Sequence, residues 1–413
     1  MGSRGWALVT FVVLLIALAV AAALLVPWHR PPAPRADQLA ALGELPSQRV
    51  AQAKALKGEL RWIGYPSMAL GLIFALLLGL TPLGARIVNA VPGPWIVKAV
   101  GGGLLVLLLT DVVTLPFAAW RHTVLVRYGL STQDWGGWAV DVLKGAAVGA
   151  VIGALALAAF FTLTHYVPSW WWAWGAAGAA GLVILMSFIF PVLIEPIFNK
   201  FTPMDESPLR TSLMEMAARD GVPVKDVLVA DASRRTTALN AYVSGIGPTR
   251  RIVVFDTLLK EAPPSEVESV VAHELGHAKD GDVVTFTLVG AIGTAAMVIG
   301  LYLLGFWTGL LRLAGVESLR EPQAIGLLLA IAALAGLFAT PLQSSVSRLI
   351  EARADAHALT LTNDPATFEQ MQKRLSLVNL AEPDPPAWEQ NLFGSHPTTV
   401  ERIAAARAFA RSH

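Results

Sequence analysis

His273-Glu274-Leu275-Gly276-His277 sets two imidazoles four residues apart, with a carboxylate beside the first. The surrounding segment 264–282, PSEVESVVAHELGHAKDGD, reads as a helix, with Ser265 as its N-cap and Glu266 and Glu268 in or near the first turn. Side chains at i and i+4 share a helix face. His273 and His277 can therefore offer two nitrogens to one Zn2+ ion, with Glu274 placed as general base toward a water. The same pair could instead cap a juxtamembrane helix. Zinc with two histidines needs a third protein ligand and keeps one position open. Ser347-Arg348-x-x-Glu351-x-x-Ala354-Asp355 supplies a candidate. Glu351 is the expected third ligand, and Asp355, again at i and i+4, the carboxylate that orients one of the histidines. Without the histidines, such an acidic pair would be an ordinary solvated helix face.

The elements that must position these groups are dictated by composition. Of 413 residues, 54% are hydrophobic and 15% charged, with 31 Lys+Arg against 30 Asp+Glu. Soluble chains carry about 25% charged residues, so the natural solvent of this chain is a lipid bilayer. A net charge of +1 leaves no basic surplus for phosphates, which excludes nucleic acid as a partner. The absence of Cys removes disulfides, thiolate nucleophiles and Cys-ligated metals. Seven stretches are long and apolar enough to cross a bilayer, near 6–27, 62–82, 98–118, 145–165, 169–193, 283–306 and 323–345. The first could be read as a signal peptide, but its apolar run exceeds the usual 7–15 residues, and it reads better as a retained span.

Seven spans put Arg4, Arg86, Lys98, Arg312 and Arg320 on one side and every other Lys and Arg on the opposite one. The positive-inside bias then places the N-terminus outside and the 194–282 loop and the C-terminal tail in the cytoplasm. The signature helix ends just before the sixth span and Glu351 follows the seventh, so an outbound and a returning helix bring both to one membrane face. Pro31, Pro32 and Pro34 open the 28–61 loop, which continues as a polar surface helix broken near Pro46. Trp170, Trp171, Trp172 and Trp174 read as an interfacial aromatic belt. Asp111, inside the third span, calls for a wet cavity or a local partner.

With these motifs in hand, the chain resembles the type I CAAX prenyl endopeptidase family, seven-span zinc proteases with an H-E-x-x-H…E-x-x-x-D signature. The likeness covers most of residues 60–410. It includes Gly129-Leu130-Ser131 with Trp135-Gly136-Gly137-Trp138, and Pro196-Ile197-Phe198-Asn199-Lys200-Phe201. It continues through Asp231-Ala232-Ser233-Arg234-Arg235, Asn240-Ala241-Tyr242, Arg251 to Leu259, His396-Pro397 and Arg402. Ser344 departs from the Asn common in relatives, which bears on a hydrogen bond near the ligands and not on ligation. Asn199 and Lys200 follow a span and read as interfacial anchors outside the site.

The resemblance implies seven transmembrane helices enclosing a chamber, an α-helical polytopic membrane protein with a small α/β zincin-like metalloprotease domain on its cytoplasmic side. Residues 1–195 would hold the first five spans, 196–282 the catalytic region, 283–345 the last two spans and 346–413 the tail with the third ligand. Val227-Leu228-Val229 and Ile252 to Phe255 read as short strands, with a turn at Gly245 to Pro248. Asn240, Ala241 and Tyr242 would lie on an edge strand able to hold an extended peptide by main-chain hydrogen bonds. His396 would point into the site toward a developing oxyanion, with Arg402 near it. The implied reaction is metal-assisted hydrolysis of a peptide bond in a membrane-associated or lipidated polypeptide. Two alternatives differ in duty or class: a quality-control protease of the HtpX type, whose chains have fewer spans, and a non-catalytic seven-span receptor or transporter. An Arg- and Ala-rich composition points to a bacterial plasma membrane.

Overall fold

The computed structural model describes residues 2–28 and 33–412, so Pro31 and Pro32 lie outside the described residues. Seven helices among these are long and apolar enough to cross a membrane: Ser3–Leu25, Ser47–Gly79, Trp95–Arg127, Trp135–Tyr166, Trp171–Phe198, Asp282–Leu304 and Pro322–Thr362. Their number and order match the seven apolar stretches of the sequence, but several run further. The polar segment after Pro46 is not a separate surface element. It is the first part of the second span's helix, because its Ala, Leu, Gln, Lys and Glu residues are strong helix formers and nothing stops them before the apolar run begins. Only Arg35–Gly43 stands apart as a short helix.

The seventh span is continuous with the segment that carries Glu351 and Asp355. Ile325–Thr362 is a single helix of 38 residues, about 57 Å long at 1.5 Å per residue. A hydrocarbon core of about 30 Å consumes little more than half of it. Both carboxylates therefore ride on the returning helix itself, beyond its apolar part, and not on a separate segment after it.

The spans pack as successive neighbours, the sixth on the fifth, then through the fourth, third and second to the seventh. The first span lies against the sixth, with Ser3 Oγ 3.1 Å from the Tyr302 hydroxyl, and Trp172 Nε1 of the fifth span donates to the same Ser3 Oγ at 2.9 Å. Trp171 and Trp172 are buried, packed against Tyr302, and only Trp170 and Trp174 are exposed as a belt would be. Four tryptophans within five residues at a helix start cannot all face lipid, so the helix turns two of them inward. Asp111 is exposed and forms no salt bridge among the described residues.

Small residues set the crossing of the second and seventh spans. A Cβ on Gly79 would come within 2.6 Å of the Gly326 carbonyl oxygen, and one on Gly326 would overlap the Leu78 carbonyl. Gly326→Val is therefore expected to destabilise the protein by about 1–3 kcal/mol or more. A lowered melting temperature of the detergent-solubilised protein would register it, and an unchanged one would refute this account of the crossing.

The extramembrane part is built on a four-stranded sheet of order β1-β2-β4-β3, comprising β1 Phe201–Pro203, β2 Asp226–Ala230, β3 Ala241–Ser244 and β4 Arg251–Phe255. β2 and β4 run parallel, and β3 is antiparallel to β4 at the sheet edge, with Tyr242 opposite Val253. The signature helix Pro264–Asp280 lies against this sheet and against the end of the seventh-span helix. One apolar core joins Val227, Ile252 and Val254 of the strands, Val271 and Leu275 of the signature helix, Ala358 of the seventh-span helix and Phe368, Met371 and Ala406 of the tail. Burial of each large side chain there contributes about 1.5–3 kcal/mol.

The signature helix starts differently from the sequence expectation. Pro263 is its N-cap and Pro264 occupies the first helical position, so Ser265 lies within the first turn and does not cap. Proline suits that position because its fixed φ is helical and no N–H is lost there. At the other end Gly281 takes φ 69°, a left-handed conformation natural to glycine. That single residue turns the chain directly into the sixth span at Asp282.

Candidate metal centre

Side chains from the signature helix, the seventh-span helix and the tail converge on one point. His273 Nε2 and His277 Nε2 lie 3.2 Å apart, as the i, i+4 spacing requires. Glu351 Oε2 is 3.2 Å from His273 Nε2, and Oε1 is 3.5 Å from His277 Nε2. His396 Nε2 reaches the same Glu351 Oε2 at 3.4 Å. Ligand atoms of His273, His277 and Glu351 all fall within 4.8 Å of one another.

The opposite edge of each imidazole is occupied by a carboxylate. Asp355 Oδ1 lies 2.9 Å from His273 Nδ1, and Asp282 Oδ2 lies 2.8 Å from His277 Nδ1. A carboxylate accepts, so in the neutral form that metal ligation requires each ring carries its proton on Nδ1 and turns an Nε2 lone pair toward its neighbour. Two lone pairs 3.2 Å apart, with Glu351 Oε2 buried and lacking any hydrogen bond, make an arrangement that protein groups alone leave unsatisfied. A divalent cation satisfies all three atoms, and the donor set of two imidazoles and one carboxylate suits zinc. The residues fit the metal.

Electrostatics agree with this reading. Burial works against charging His273 and His277, but the facing carboxylates Asp355, Asp282 and Glu351 outweigh it and raise both, His277 to about 10. The field that raises affinity for a proton raises affinity for a cation in the same way. Burial pushes the Glu274 carboxyl above the usual carboxylate range, while the two histidines pull it back. Glu274 lies in a cleft with His277, between Val243 of β3 with Ile246 just after it and Val283 and Val284 at the base of the sixth span.

The tail supplies His396 and Arg402. Arg348, on the seventh-span helix, donates to the carbonyls of Gln390 and Gly394 at 2.7 Å each, and Gln390 Nε2 donates to the His396 carbonyl at 2.7 Å. The loop before His396 is thereby braced against the helix that carries Glu351. Arg402 lines the same cavity as His396. Its guanidinium makes a paired contact with Asp355, with Nε to Oδ2 at 2.8 Å, and so backs the carboxylate that orients His273.

The three residues of the edge-strand motif part company. Asn240 is exposed just before β3 and lines a cavity of about 620 Å³ shared with His396 and Arg402. Ala241 turns its side chain into the core and offers only main chain. Tyr242 packs its ring against Phe255, and burial pushes its hydroxyl well up. Asp282 and Arg353 were missed from the sequence. Asp282 falls five residues after His277, and nothing local distinguishes it from an acidic residue at a helix start.

Residues 203–410 match the sequence profile of peptidase family M48, and residues 48–200 match the CAAX prenyl protease N-terminal region, five membrane helices. The chain belongs to peptidase family M48. It is 32% identical over 310 residues to the CAAX prenyl protease 1 homolog of Arabidopsis thaliana, covering 72% of this chain and 70% of that protein. It is 30% identical over 324 residues to the CAAX prenyl protease 1 of Saccharomyces cerevisiae, covering 72% and 69%. Similarity to the uncharacterized metalloprotease YhfN of Bacillus subtilis is 30% over 315 residues, covering 75% and 73%. The crystal structure of S. mikatae Ste24p superposes with a TM-score of 0.75 over 97% of this chain and 98% of that one, at 21% identity, which establishes a shared fold. As a member of family M48 the chain is a membrane metalloendopeptidase, and the receptor or transporter alternative falls away.

Proposed function

We propose that this M48 member is a zinc endopeptidase that cuts membrane-associated or lipidated polypeptides of the CAAX type at the cytoplasmic face of a bacterial plasma membrane. The observation that carries the metal assignment is the pair of Nε2 atoms 3.2 Å apart with their Nδ1 protons committed to carboxylates. His273, His277 and Glu351 hold the ion. Bound zinc supplies Lewis acidity and lowers the pKa of water from 15.7 to about 7. Glu274 takes the proton from the attacking water and passes it to the leaving amine. Asp355, itself held by Arg402, keeps the His273 ring oriented. His396 donates a hydrogen bond to the carbonyl oxygen as it gains charge. The exposed Asn240 and the main chain of β3, Ala241 and Tyr242 included, hold an extended substrate strand beside the cleft.

The placement of Lys and Arg supports the cytoplasmic orientation, and the relatives named as CAAX prenyl proteases support the substrate class. Purified protein should cleave a prenylated CAAX peptide faster than its unprenylated counterpart, and chelation should abolish both. Equal rates on the two peptides would overturn the lipid preference. Zinc bound with neither peptide cut would overturn the CAAX substrate class and leave the metal site standing.

A further inference from the structure

We infer that Asp282 and Arg353 are positioning residues of the metal centre, tying the second histidine to the sixth and seventh spans; this inference rests on the zinc site proposed above. Asp282 is the first residue of the sixth-span helix and is only 3% exposed. A carboxylate at a helix start ordinarily stays wet and interacts with the helix dipole. Burying it costs several kcal/mol unless it is fully partnered. Here one oxygen, Oδ2, accepts from His277 Nδ1 at 2.8 Å, and the other, Oδ1, meets Arg353 Nη2 from the seventh-span helix. Arg353 Nε is also 2.6 Å from Asp280 Oδ2, so its guanidinium spans both ends of the Gly281 turn.

The result is a second histidine–carboxylate–arginine chain beside the first. His273 is held by Asp355 and Arg402, and His277 by Asp282 and Arg353. Each chain fixes one Nδ1 proton and so keeps one Nε2 lone pair free for the ion. An Asn at 282 can turn its amide N–H toward Nδ1. The ring proton then moves to Nε2, where it blocks ligation.

Zinc affinity should be measured by chelator competition on the full-length protein in detergent, with melting of the metal-free protein followed in parallel. Asp282→Asn is expected to weaken zinc binding about 10–100-fold while the metal-free melting temperature stays close to wild type, because Arg353 keeps Asp280 as a partner. His277→Ala serves as the ligand control. Should Asp282→Asn not fold, the double variant Asp282→Asn/Arg353→Gln, which leaves no unmatched charge at 282, is expected to show the same weakening. Wild-type zinc affinity in whichever of these two folds, with His277→Ala impaired, would overturn the positioning role and leave the zinc site intact. Wild-type affinity in His277→Ala as well would overturn the zinc site itself.

Discussion

Glu274→Gln is expected to purify with its metal and to lose about 10²–10⁴-fold in cleavage rate, the usual contribution of a positioned general base. The substitution preserves shape and leaves His273, His277 and Glu351 untouched. It removes a carboxylate that shares a cleft with His277 and is not among the three proposed ligands. Its environment fits the task, because burial raises the Glu274 carboxyl toward the range in which a base both accepts and returns a proton. Metal content and kcat measured on the same preparation separate binding from chemistry. A variant that keeps its metal and cleaves at the wild-type rate would remove Glu274 from the mechanism.

Arg402→Met is expected to carry the largest stability cost of any single change near the site, about 3–5 kcal/mol. Asp355 is 4% exposed, and among the described residues Arg402 is its only cationic partner apart from the ring of His273. Without the guanidinium, the carboxylate stays buried and draws a full positive charge onto His273, which takes the Nε2 lone pair out of use. Metal binding should therefore weaken together with stability. The double variant Asp355→Asn/Arg402→Met removes both charges and should regain much of the lost stability without regaining metal affinity. Arg402→Lys is not a mild change here, because an ammonium cannot reproduce the paired contact. A melting temperature unchanged in Arg402→Met would show that the pair contributes nothing.

What was legible in the sequence was whatever a short period or a long apolar run encodes. The i, i+4 spacing of His273 and His277 needs no tertiary information, and seven apolar runs of span length announce themselves. Glu351 was legible because span counting returns it to the face of the signature helix. The termini of elements were not. Ser265 has the chemistry of an N-cap, but two prolines before it fix the helix start two residues earlier. The second and seventh helices run past their apolar parts because helix propensity, unlike hydropathy, does not stop at the membrane surface. The roles of Asp282 and Arg353 depend on the Gly281 turn meeting another helix, a long-range contact that no local pattern carries. Trp171 and Trp172 read like their neighbours in composition, and only packing against Tyr302 separates them.

The continuous helix from Ile325 to Thr362 and the late position of the tail bear on when this enzyme becomes an enzyme. Chains emerge from the ribosome N-terminus first, at about 5–20 residues per second. The signature helix is made well before Glu351, and Arg402 follows Asp355 by 47 residues and His273 by 129. A nascent chain at the membrane therefore carries His273, Glu274 and His277 for some seconds before Glu351, the proposed third ligand, and before Arg402, which pairs with Asp355. On the site proposed above, hydrolytic competence would arrive only once Arg402 is made, so chains released before that point would be inert toward the surrounding membrane proteome.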